Sequence, residues 1–461
     1  MKSRIKHVAV GLSAFCLMVL SGAASATNGY FTHGVGSESK GLAGSGIGSD
    51  AAHGAIIAAS NPALAVFAED NWEVGLSAFS PMRDYEATQS LANGQGGAFS
   101  LGAGNVESGS EWFAVPYLAK NWRWGEDKTI SFLFYGRGGM NTDWDASDAT
   151  ASFDPDGPGP APVMTLDGAF GAGDAGVDLS QAFMSVNFAG KAGDDFAWGI
   201  GPVFAVQAFE AKGVGSFAGY TKTFAESGGT VFPENLTNNG HDTSTGFGAS
   251  AGIWWAMGDA VSAGLSYTSK MSMSELDDYS DLFAEDGGFD IPASTKLGIS
   301  FNSNDNVRLN LDIEHTEFSD VGSVGNSLAN LAACPTAGLG GTDIESCLGG
   351  KNGAGFGWDD MTTYKFGIEW TPSDNVAYRF GYSYGEQPIQ EIDVLFNILA
   401  PGVMEQHFTF GMTKRSPNGG AWNFSLMYAP TNRVKGPNMF DPTQEIELKM
   451  SQFEFEVSYL W

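Results

Sequence analysis

Fourteen stretches of this 461-residue chain alternate apolar and polar side chains, and the connections between them alternate as well, short then long. The stretches fall at 72–80, 112–122, 129–143, 176–190, 196–211, 243–257, 260–274, 292–302, 306–318, 361–371, 375–388, 403–414, 421–434 and 447–461. Successive side chains of a strand point to opposite faces, so each stretch reads as a strand with one oily and one wet face. In VRLNLDIE, Val307, Leu309, Leu311 and Ile313 oppose Arg308, Asn310, Asp312 and Glu314. Turns such as those at 258–259 and 372–374 take every second connection. Long loops near 81–111, 144–175, 212–242, 275–291, 319–360, 389–402 and 435–446 take the others. An even strand count with short turns on one side and long loops on the other is the pattern of an outer-membrane barrel. A soluble sandwich has no reason to sort its loops this way. The expected fold is all-β, a 14-stranded antiparallel transmembrane β-barrel over residues 71–461.

The final stretch, QFEFEVSYLW, puts Phe453, Phe455, Val457, Tyr459 and Trp461 on one face and Gln452, Glu454, Glu456 and Ser458 on the other. Paired with the first strand it would close the barrel and leave no edge, with Tyr459 and Trp461 at the periplasmic interface. At the other end, Lys2, Arg4 and Lys6 precede an apolar run over 8–20 and the small residues Ala24-Ser25-Ala26, the order of a secretory signal peptide over 1–26. Cys16 lies within that run and lacks the context of a lipidated cysteine. No later run reaches the roughly 18 apolar residues of a membrane helix. The net charge of −30, which becomes −33 without the three signal cations, argues against nucleic-acid binding, which needs cations to neutralise phosphates. Cys334 and Cys347 remain, and an exported chain in an oxidising compartment favours a disulfide between them.

Residues 27–70 carry the small-residue stretch GLAGSGIGSDAAHGAIIAASNPALAVF and read neither as a strand nor as a long helix. A segment of this size outside the barrel has little core to bury, so a hatch, or plug, within the lumen is expected. Gly75, Gly199, Gly201, Gly248, Gly252, Gly264, Gly298, Gly367, Gly381 and Gly411 all fall on the inward faces. Glycine in a strand often marks the close approach of another backbone.

With Asn61-Pro62-Ala63, the preceding GLAGSGIGSDAAHGA, and YRFGYSYGEQP ending in Pro388, the chain resembles the FadL family of outer-membrane transporters for long-chain fatty acids and other hydrophobic compounds. The resemblance covers essentially the whole mature chain. It implies a fourteen-stranded barrel plugged by a hatch bearing Asn61, Pro62 and Ala63. Ligand would lodge in an apolar groove among extracellular loops, enter a lumenal pocket, and leave sideways through an opening at a kinked third strand, with passive transport throughout. The terminal aromatic strand resembles the signal read by barrel assembly machinery. A Gram-negative outer membrane, contact with its lipid and lipopolysaccharide, and a monomeric state follow as expectations.

The residues offer candidates for each step. Gly136, Gly138 and Gly139 in FYGRGGMN fit the kink, since glycine tolerates a bulge and bulges bend strands. Leu276, Tyr279, Leu282 and Phe283 share one helical face, and Phe217, Tyr220, Phe224, Val231 and Phe232 join them as candidates for the loop groove. For a ligand carboxylate the inward cations Arg137, Lys365 and Arg379 lead, with Lys296 and Arg308 behind, although pairing with Glu314 and Glu369 competes. The end of the fifth strand reads Phe209-Glu210 where a basic ligand contact is expected, and this favours a neutral substrate. Uptake of aromatic hydrocarbons, or a structural or adhesive surface barrel with a static plug, are the alternatives.

No enzyme, cofactor or metal site is expected. The G-x-S-x-G pattern at Gly248–Gly252 lies inside a strand rather than at a strand-to-helix turn, the G-x-G-x-x-A at 46–51 lacks a preceding strand, and the six histidines show no ligand spacing. Asp143, Asp145, Asp148, Asp154 and Asp156 read as a solvated loop, with divalent cations held near lipopolysaccharide as the alternative.

Overall fold

Fourteen long strands follow one another in space in their chain order and close on themselves in the computed structural model, which describes residues 28–51, 53–154, 162–417 and 419–461. The expected signal peptide lies outside the described residues. The strands are β1 (Trp72–Ala87), β2 (Phe113–Arg123), β3 (Lys128–Asn141), β4 (Gly176–Lys191), β5 (Phe196–Lys212), β6 (Asp242–Ala256) and β7 (Val261–Thr268). They continue as β8 (Ser294–Asn304), β9 (Val307–Thr316), β10 (Met361–Ser373), β11 (Val376–Gly385), β12 (Gln406–Arg415), β13 (Ala421–Asn438) and β14 (Asp441–Leu460). All neighbours are antiparallel, and β14 pairs with β1 from Glu73 opposite Leu460 to Ala87 opposite Ile446. Trp72 and Trp461 exchange both backbone hydrogen bonds at the foot of this seam, at 2.9 and 3.0 Å.

The alternation of the sequence becomes the alternation of the wall. Leu76, Ile200, Leu297, Ile299, Leu311, Ile313, Phe380 and Phe455 face outward, while Ser77, Asn310, Asp312, Glu314, Glu454 and Glu456 are buried within. Trp72, Trp122, Trp124, Trp255, Trp370, Trp422 and Trp461 stand exposed near the short turns, where amphipathic rings favour the membrane interface.

Several strand limits differ from the sequence reading. β1 runs seven residues past Ser80 because pairing with β2 lapses after Phe79, so the missing N–H of Pro81 interrupts no bond on that side. β7 stops at Thr268 and β11 at Gly385, where the chain turns into loops. The long loop expected at 435–446 is absent. β13 and β14 continue through it as a hairpin that turns at 439–440, held by Lys435 near Glu447 and Val434 opposite Leu448.

Residues 28–51 and 53–71 lie inside the barrel, with short turns of helix at Ser37–Lys40, Ala55–Ala59 and Pro62–Val66. Seven of the ten inward glycines meet this segment. A Cβ at Gly199 would overlap Pro62, at Gly252 Asn61, at Gly264 and Gly298 Ile47, at Gly367 Ser45, at Gly381 Leu42, and at Gly411 Gly41. Asn61 caps the Pro62–Val66 turn by accepting from Ala63 N, and its amide donates to the carbonyls of Ile47 at 3.0 Å and Ile253 at 3.1 Å. One side chain thus fastens two hatch segments to β6. Replacing Asn61 with Ala leaves two buried backbone groups, Ala63 N and Ile47 O, without this partner, at about 1–3 kcal/mol each. Hydrogen exchange should then accelerate at least tenfold in residues 46–66 while strand amides stay protected.

Candidate functional site

The ladder between β2 and β3 stops partway along the wall. These strands pair from Arg123 opposite Thr129 to Tyr117 opposite Tyr135, and there the ladder ends. β3 continues to pair with β4 up to Asn141 opposite Asp178, but its register shifts between Gly136 and Gly138, so Arg137 is the extra residue of a bulge. The upper part of β3 therefore turns an unpaired edge toward β2. The hatch supplies what β2 does not. Gly139 N donates to Tyr30 O at 3.0 Å, Thr32 N donates to Arg137 O at 2.8 Å, and Phe31 bridges Gly138.

The opening is a window with a frame. Below, Gly136 and Val115 stand so close that a Cβ on the glycine would lie 2.7 Å from Val115 Cγ1. Above, Gly109 N donates to Asp143 O at 2.7 Å and Asp143 N to Ser108 Oγ at 3.0 Å. Arg83 spans the top, donating from Nη1 to Asn141 O and from Nη2 to Ser110 O. Inside, a cavity of about 20 Å³ touches Tyr30, Met140, Trp358 and Met450. That is room for about one water molecule and for no larger guest. This conformation is closed.

A column of rings leads to the window from the long-loop side. Phe209 packs on Tyr279 at 4.9 Å and Phe283 at 4.6 Å, Phe283 on Phe289 at 4.9 Å, and Phe289 on Tyr30 at 6.3 Å. Tyr30 then meets Phe31, Phe318 and Trp358 at 4.6, 5.3 and 5.9 Å. Leu276, Tyr279, Leu282 and Phe283 stand at the head of this column and are buried, although only Asp277–Tyr279 is helical. The other loop candidates go elsewhere. Phe217 and Tyr220 join Phe99, Phe170, Phe396 and Phe440 in a separate cluster, and Phe224 packs on Phe232 at the surface. Val231 and Phe232 are 53% and 68% exposed. The loop aromatics thus close on one another in several groups rather than line one open groove. Cys334 and Cys347 are bonded and buried, with their Cα atoms 4.8 Å apart, in the loop between β9 and β10.

The lumenal cations expected to meet a ligand carboxylate are each engaged by carboxylates of the protein. Glu314 takes Lys365 at 2.6 Å, Lys296 at 3.1 Å and Arg137 at 3.5 Å. Arg379 donates to Glu369 at 2.7 Å and to Glu38 of the hatch at 3.1 Å, and Arg308 reaches Asp50 at 2.8 Å. Asp312 accepts from Gly46 N and Ile47 N at 2.7 and 3.0 Å. Lys40 of the hatch inserts between Glu454 and Glu456 of β14, 2.6 Å from the latter. None of the proposed carboxylate ligands is left uncompensated, because acidic residues on the same inward faces reach them first. Among the described residues, no group of histidine, cysteine or carboxylate side chains is placed to hold a metal.

A family model described as outer membrane protein transport protein (OMPP1/FadL/TodX) matches residues 164–413. No curated protein sequence matches the chain. Among solved structures it is similar to the Pseudomonas putida toluene transporter TodX, with 17% identity and a TM-score of 0.62 over 94% of this chain and 99% of that one. A Pseudomonas aeruginosa FadL homologue gives 14% identity and 0.61 over 94% and 99%. The Ralstonia pickettii toluene transporter TbuX gives 15% and 0.55 over 93% and 98%. At such identities the likeness is one of fold.

The ion pairs make the hatch's attachment testable. Lys40→Met strands two buried carboxylates and should cost about 3–5 kcal/mol. Hatch protection in hydrogen exchange should fall accordingly, and adding Glu454→Gln and Glu456→Gln should restore it.

Proposed function

Since the chain belongs to the outer membrane protein transport protein family described as OMPP1/FadL/TodX, and so is an outer-membrane channel for hydrophobic compounds rather than an enzyme, we propose that it delivers long-chain fatty acids sideways into the membrane through the β2–β3 window. The observation that carries this reading is the meeting of two features at Tyr30. The ring column from the extracellular loops ends there, and the same residue's carbonyl covers the unpaired edge of β3. A ligand that displaced residues 30–32 would expose a break in the wall whose outer side is lipid. Nothing chemical is required of the protein. Desolvation of the ligand supplies the driving force for entry, about 25 cal/mol per Å² of apolar area, and dilution into the bilayer draws it out.

The family assignment sets aside the reading of the barrel as an adhesive surface protein with a static plug. A second substrate class has its own support. The ion-paired states of Arg137, Lys365 and Arg379, with Phe209 at the end of β5, favour neutral aromatic hydrocarbons.

The window can be bolted. Val115 and Gly136 are the sites for a pair of cysteines across its lower edge, since a Cβ on the glycine would lie 2.7 Å from Val115 Cγ1, the position a cysteine sulfur would take. Oxidation of the double variant should abolish uptake of both substrate classes in whole cells, and reductant should restore it, with the single-cysteine variants unaffected by either treatment. Uptake that persists in the bolted barrel would overturn lateral exit.

A further inference from the structure

One buried cation stands outside the ion pairs. Of the basic side chains the fold buries, Lys40, Lys120, Arg137, Lys365 and Arg379 each face a carboxylate within 4.0 Å. Arg83, 5% exposed, faces none among the described residues. Glu111 and Asp178 attract it only from longer range. Its partners are backbone carbonyls, those of Ser110 and Asn141, on the two sides of the window, with the Ser110 hydroxyl at 3.4 Å and the Phe113 ring at 5.6 Å. Its Nε is buried and has no partner. The guanidinium also borders the small cavity whose other walls include Tyr30, Met140, Trp358 and Met450.

A buried guanidinium held by neutral carbonyls, with one donor idle, is a site short of an anion. Its surroundings dictate what the rest of that anion must be, because apart from Asn141 the side chains at the cavity wall are aromatic or aliphatic. We propose that Arg83 is the specificity-determining residue of the window and binds the carboxylate of a long-chain amphiphile as the ligand's tail enters the gap. The idle Nε–H and a neighbouring Nη–H form a fork that suits a carboxylate. A carboxylate that takes the Nη2 donor competes with Ser110 O, so the ligand also loosens one of the ties that hold the window's two sides together. Selection and opening are then one event at one side chain. This inference rests on the lateral-exit reading above.

The test compares radiolabelled palmitate with radiolabelled toluene in whole cells that express the full chain and lack other channels of the family. Arg83→Gln should lower the ratio of palmitate to toluene uptake about tenfold or more, the size of a lost charge-assisted hydrogen bond. Arg83→Lys, which keeps the charge without the fork, should recover part of that loss. If Arg83→Gln fails to assemble, palmitate binding to the purified Lys variant decides, and an unchanged Kd overturns the proposal. A ratio that stays within twofold, with both substrates rising or falling together, would show Arg83 to be only a tie and would sink its role in selection while leaving the window intact. Wild-type cells that take up neither probe faster than cells without the protein would overturn the transport route itself.

Discussion

In hydrocarbon no water is available for a peptide group that lacks a partner, and the whole molecule is organised by that demand. Closure of β14 on β1 answers it at the seam, which leaves no free edge there. Between β2 and β3 the answer is different. The bulge at Arg137 takes the edge of β3 out of register with its neighbour, and the N–H of Gly139 and the carbonyl of Arg137 are satisfied from inside by residues 30–32. A wall segment held by a separate piece of chain is one that can be released without unzipping the ladder.

The lumen obeys an electrostatic counterpart of the same rule. Buried charges demand compensation, and here they obtain it largely across the boundary between hatch and wall: Lys40 with Glu454 and Glu456, Glu38 with Arg379, Asp50 with Arg308. Expelling the hatch would break all of these at once. Shifting residues 30–32 alone breaks none of them, so a path at the window asks far less of the structure than one through the plug.

Much of this is legible in the residues. Strand number, closure and the inward glycines follow from period-two alternation and from the need for backbone to approach backbone, and the kink is marked by three glycines in four residues. What stays hidden depends on contacts between segments distant in sequence. The loop aromatics give no sign that Phe217 packs on Phe396 and not beside Phe283, because composition cannot say which loops meet. Arg83 escapes a reading of the sequence for a sharper reason. Pro81 looks like the end of a strand, so the residues after it look like loop, when in fact β1 has already parted from β2 at Phe79.

The glycine contacts between hatch and wall also say something about the order in which the molecule comes together. Gly41 lies against Gly411 and Ile47 against Gly264 with no room for even a methyl group between them, and the segment that carries them precedes β1, which forms one side of the closing seam. A folded object that fits this tightly cannot be threaded into a finished cylinder. The barrel takes its final shape against the hatch, which makes the lumenal segment a mandrel for the wall as much as its stopper.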